Sequence, residues 1–216
     1  MSEAALTPRV KLRIENLSDL VFGLALSIGS IVLISKLPQT PMELLTGIAL
    51  FGFSFLIVVW VWSGYTSTMS ALPYEIRGTF LLNIMLLFCV AIEPYLFYVE
   101  TQIRLVYVPF ASSVYALDVG AMLFILASQI FLLLGEERKS KVHKLHSAQL
   151  RRFRRVMFGQ IAAGAIFTAS ALPSFWIPIP FAVGTSVRFD LWYAAMVVLL
   201  VAPRVGGRPK SLEQER

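Results

Sequence analysis

Residues 17–35 read LSDLVFGLALSIGSIVLIS, an apolar run whose only charge, Asp19, stands at its start and which ends just before Lys36. A helix needs about 20 mostly apolar residues to cross the hydrocarbon core of a bilayer, so this run predicts a membrane span. Leu24, Ile28 and Ile31 recur at i, i+4 and i+7, which puts them on one helical face. Gly23 and Ser27 lie four apart beside that stripe, and Ser30 follows one turn on. Two readings fit the pattern. Small residues let neighbouring helices approach closely. Alternatively the face is a pore wall, with hydroxyl oxygens replacing ion hydration and branched apolar side chains forming a constriction that can dewet.

The rest of the chain follows the same plan. Of its 216 residues 57% are hydrophobic and only 15% charged, against about 25% charged in a soluble domain. Mean hydropathy is +0.72. So few charges cannot clothe a water-exposed surface, which excludes a soluble globular enzyme. Further spans are predicted at about 44–63, 78–98, 114–134, 156–171 and 181–201, the last weakened by Arg188 and Asp190. The expected fold is an all-α integral membrane protein. Residues 1–16 form a cytoplasmic N-terminal segment, 17–203 a six-helix transmembrane domain and 204–216 a cytoplasmic tail that reads as disordered from Gly206. The first span is read as a span and not as a cleaved leader, because Arg13 and Asp19 flank it and no small-residue cleavage site follows.

Basic residues orient the bundle, since cytoplasmic loops hold the excess of Lys and Arg. With six spans and both termini inside, only Lys36, Arg104 and Arg188 of the 19 basic residues fall outside. The strongly polar stretch 136–155 is expected to be a cytoplasmic loop that meets anionic lipid headgroups of the cell membrane, not nucleic acid.

Little in the sequence suggests catalysis. The one cysteine, Cys89, can form no intrachain disulfide, and His143 and His146 are too few ligands for a metal site. No GxSxG, HExxH or P-loop is present, nor a GxGxxG between strand and helix, so neither enzyme chemistry nor a cofactor is expected. Asn83, Glu93 and Asp118 lie inside or near the ends of spans. Such groups are costly in a bilayer and either hydrogen-bond between helices or serve a proton relay, as in a proton-coupled transporter. Arg13 and Asp19 point in different directions at 100° per residue, so at least one must find its partner on another helix or subunit.

The stretch Arg13-Ile14-Glu15-Asn16-Leu17-Ser18-Asp19 resembles the R-x-x-x-F-S-D signature of the transmembrane protein 175 family of potassium-permeable channels, with Leu17 in place of Phe. Ser54-Phe55, Trp62 and Tyr65 are similar to the S-F…W-x-x-H of its second helix, with Tyr65 in place of His. Leu82-Asn83, Leu86-Leu87 and Pro94 are similar to the L-N-x-x-x-L…P of its third. Past Pro94 the likeness is one of span count and of the basic loop. The resemblance implies the single-repeat prokaryotic form, a homotetramer whose first helices line the conduction path, with no T-V-G-Y-G filter. It implies a constriction of Leu24, Ile28 and Ile31, cation preference at Ser27, and a bracing polar network of Arg13, Ser18, Asp19, Trp62 and Tyr65. The permeating ion would be K⁺. The loss of the histidine would remove a titratable group from that network.

Overall fold

Thr40-Pro41-Met42-Glu43 shows how the sequence starts a helix here. Pro41 occupies the first turn, where its missing N–H costs nothing, and Thr40 Oγ1 accepts from the Glu43 N–H at 3.1 Å. The Glu43 carboxylate reaches back to accept from the Gln39 N–H at 2.8 Å. In this computed structural model, residues 7–35, 37–71, 77–100, 108–139, 145–176 and 186–204 are described. They form α1 (Thr7–Ser35), α2 (Pro41–Met69), α3 (Arg77–Glu100), α4 (Val108–Lys139), α5 (Ser147–Ser170) and α6 (Val187–Val201), with a 3₁₀ turn at Pro173–Phe175.

Four of these helices are long and apolar enough to cross a membrane, over Arg13–Ile34, Pro41–Met69, Gly78–Val99 and Pro109–Lys139. The protein is thus a helical, membrane-embedded one. The α5 helix falls short of that measure because its first nine residues include Arg151, Arg152, Arg154 and Arg155. Over the described residues α6 has 15 residues, roughly 22 Å at 1.5 Å per residue.

The helices run further than the hydropathy pattern suggests. The polar stretch 136–155 is largely helical: α4 continues to Lys139 and α5 starts at Ser147. Apolarity marks what the bilayer requires, whereas helix ends are set by caps and breakers, so the two need not coincide. Lys141, His143 and Lys144 of that stretch lie outside the described residues, as do Lys36, Arg104, positions 1–6, the start of the sixth predicted span and the tail from 205 with Arg208, Lys210 and Arg216. The other histidine, His146, caps α5, its backbone N–H donating to Gln149 Oε1 at 3.0 Å.

The α4 helix is the centre of the bundle, packing on α2, α3 and α5, while α1 packs on α2 and α3, and α6 on α5. A close seam joins α4 to α5. A Cβ on Gly120 would lie 2.6 Å from Thr168 Oγ1 and 3.2 Å from the Gly164 carbonyl, so only glycine permits this approach. Trp192 anchors α6 within rings from three other helices, Phe53, Tyr115 and Phe167, and donates to Ser170 Oγ at 2.8 Å. Arg188 is buried where α6 meets the start of α4. Its guanidinium donates to the Pro109 carbonyl at 3.2 Å and to Ser113 Oγ at 3.3 Å, and lies 5.0 Å from the centre of the Trp176 ring.

Candidate functional site

The first helix presents one face to the bundle and another away from it. Phe22 and Ala25 are buried against the core. On the opposite side Leu24 is 57% exposed, Ile28 39% and Ile31 63%, and Leu17, Leu20 and Ile34 extend the same apolar strip. Among the described residues nothing lies within 4 Å of where a Cβ on Gly23 would sit, so none of these helices uses that glycine as a packing seat. Ser27 opens onto this face. Its hydroxyl donates to the Gly23 carbonyl at 2.8 Å, and Ser30 donates to the Leu26 carbonyl at 3.1 Å. Both protons are thereby held within the helix, and the oxygen lone pairs are left as outward acceptors, the polarity a cation requires.

The base of this helix is tied to the end of α2. Tyr65, fully buried, donates to Ser18 Oγ at 2.7 Å, and Ser18 donates onward to the Ile14 carbonyl at 2.8 Å. One turn away Trp62 Nε1 donates to Asp19 Oδ1 at 2.9 Å. Phe22 closes the gap between the pairs, its ring centroid 5.7 Å from that of Tyr65. These contacts fix the antiparallel pairing of α1 with α2 and the rotation of α1 about its axis, and hence which face is left uncovered. Ser18, Asp19, Trp62 and Tyr65 therefore come together, whereas Arg13 stays apart. It is exposed and makes no ion pair with Asp19. Since α1 is continuous, Arg13 stands five turns below Ile31 on the same outward face.

A second polar group lies in the interior. Glu93, on α3 just before Pro94, is buried and accepts from Ser54 of α2 at 2.6 Å and from Tyr115 of α4 at 3.3 Å. Asp118 is buried on α4 beside Cys89, and its Oδ2 has no hydrogen-bond partner among the described residues. The same holds for Asn83 Oδ1, Thr79 Oγ1 and both amide atoms of Gln129 and Gln160. Glu93 thus ties three helices together, as an interhelical hydrogen-bonding group does.

The sequence reading missed Ser54, Tyr115, Gln129 and Gln160 as interior polar groups. The α2 and α4 helices have little apolar asymmetry, so no periodicity marks which face of Ser54, Tyr115 or Gln129 is inside; a lone glutamine in an apolar run is the one signal available. No known protein family, curated protein or solved structure matches the chain.

Proposed function

We propose that this chain is a potassium-preferring cation channel assembled as a homotetramer, with the outward face of α1 from each subunit turned to a central axis. The observation that carries this reading is the strip on α1, where exposed Leu24, Ile28 and Ile31 run beside a hydroxyl oxygen of Ser27 aimed the same way. The likeness of residues 13–94 to the transmembrane protein 175 family points in the same direction. In this reading α5 and α6 complete six crossings and both termini are cytoplasmic.

Four copies of the apolar strip close a narrow, dewetted constriction. Conduction requires the strip to rotate or part so that a partly hydrated ion passes, with the Ser27 oxygens replacing lost water. Arg13 would oppose cation entrance as a ring of bare charge. Asp19 uses one oxygen on Trp62, so Oδ2 is left for Arg13 of an adjacent subunit. Proteoliposome flux tests the reading: potassium flux above sodium flux is expected, rising in Leu24→Ala while the tetramer persists on sizing. A Leu24→Ala variant with unchanged or lower conductance sinks the constriction assignment. Asp19→Arg should abolish the tetramer, whereas Asp19→Asn, which keeps an acceptor for Trp62, should weaken it.

The buried Glu93 and Asp118 favour a second reading, a proton-coupled transporter, since Asp118 Oδ2 sits in the interior without a hydrogen-bond partner among the described residues. That reading requires saturable substrate flux that Glu93→Gln or Asp118→Asn removes. The channel reading expects non-saturating ion flux that survives both.

A further inference from the structure

A cavity of about 400 Å³, with no lining residue from α1, lies where the ends of α2 and α6 meet the start of α5 over Ile130 of α4. That size suits a small ligand, for which pockets run from about 300 to 1,000 Å³. Its polar wall combines Ser63 and Ser67 of α2 and Ser70, just past its end, with Gln149, Arg152 and Gln160 from α5. Gln160 is fully buried, lines the cavity, and has no hydrogen-bond partner for either amide atom among the described residues. Leaving such an amide unpaired costs about 1–3 kcal/mol, a cost that a polar occupant reaching it from the cavity would offset. Gly64 makes room for it: a Cβ there would come within 3.3 Å of Gln160 Nε2.

The chemistry of the wall specifies the occupant. Ser67 donates to the Ser63 carbonyl at 2.8 Å and Ser70 to the Ser67 carbonyl at 3.1 Å, so both hydroxyls turn only acceptors to the cavity. Gln149 Oε1 is engaged by the His146 N–H, which leaves its NH₂ to donate. Arg152 makes no ion pair among the described residues and supplies a cation at the mouth. Donors beside a positive charge suit a phosphate, and the exposed serine oxygens on the facing wall suit hydroxyl donors. Both needs are met at once by a phosphorylated polyol.

We propose that this cavity binds a glycerol-phosphate group, with the phosphate at Arg152 and Gln149 and the glycerol hydroxyls against the serine oxygens and Gln160. The site makes no use of the α1 strip, so it stands or falls independently of conduction.

The test uses the purified full chain in detergent, and reads the thermal midpoint and native-mass binding with phosphatidylglycerol, phosphatidylcholine and soluble glycerol 3-phosphate. Phosphatidylglycerol should raise the midpoint well above the phosphatidylcholine value. Arg152→Gln and Gln160→Leu should each weaken binding about tenfold, the loss of one strong hydrogen bond, while Arg151→Gln, outside the cavity wall, leaves it unchanged. Gln160→Leu should also raise the ligand-free midpoint, so its lost response is not misfolding. Binding of the lipid but not of glycerol 3-phosphate assigns the group to a bilayer lipid, and binding of both to the headgroup chemistry itself. Equal shifts with phosphatidylcholine, no shift at all, or an equal loss in Arg151→Gln overturns the proposal.

Discussion

The α1 and α4 helices are comparably apolar along their length and are treated oppositely by the fold. In the most apolar window of α4, 61% of residues are buried inside the protein, against 22% in that of α1. The α4 helix is surrounded by α2, α3 and α5, and α1 is covered on one side only. In water such a difference would be drawn by hydrophobicity. In a bilayer, lipid tails solvate an apolar side chain as well as protein does, so packing shape and hydrogen bonds decide which helix goes to the centre. The centre of this bundle is accordingly marked by glycine seams and buried polar groups, and the uncovered face of α1 by leucine and isoleucine.

The comparison breaks most easily at the α4–α5 seam. Gly120→Val should cost several kcal/mol, beyond the ~1–3 kcal/mol of ordinary overpacking, because backbone atoms of α5 block the new side chain. Loss of the folded peak on size exclusion would register it. Gly23→Ala on the open face of α1 meets nothing and should leave the subunit at least as stable, since alanine favours a helix by about 1 kcal/mol. A large loss there would mean that the face is packed within the subunit after all.

Next in size is the interior carboxyl. Glu93→Leu strands the Ser54 and Tyr115 hydroxyls and should lower stability by about 2–3 kcal/mol, whereas Glu93→Gln keeps an acceptor and should cost less than half of that. Smaller still is the α1–α2 tie. Tyr65→Phe or Ser18→Ala should cost about 1 kcal/mol each, and the double variant little more than either alone, because the two share one hydrogen bond. Additive losses would show that each hydroxyl has another role. The smallest effect belongs to Leu24→Ala: an exposed side chain contributes within about 0.5 kcal/mol to subunit stability. A thermal midpoint unchanged beside an altered flux would separate its role in assembly or conduction from any role in folding.

Much of this was legible in the order of residues. Long apolar runs dictate bilayer-crossing helices whatever their neighbours, because no unpaired backbone group is tolerated in hydrocarbon. The period of Leu24, Ile28 and Ile31 marks one face of α1. The order of residues does not resolve the polar network expected of Arg13, Ser18, Asp19, Trp62 and Tyr65 into pairs; the fold brings Ser18 to Tyr65 and Asp19 to Trp62 within hydrogen-bond distance and leaves Arg13 apart. What periodicity could not decide is whether an apolar face is covered or open. Leu24 and Leu126 are the same residue type on equally apolar helices, one exposed and one fully buried, and only the rotation imposed on α1 by its bond to α2 separates them. The partners of Glu93 come from helices 39 and 22 residues away in the chain, and the cavity at Gln160 is walled by the ends of helices that no local pattern brings together. Composition determined the solvent and the secondary structure, since both follow from local chemistry. Placement of the polar groups, and with it every candidate site, was decided by tertiary packing, because hydrogen bonds between helices depend on distances that the linear order does not contain.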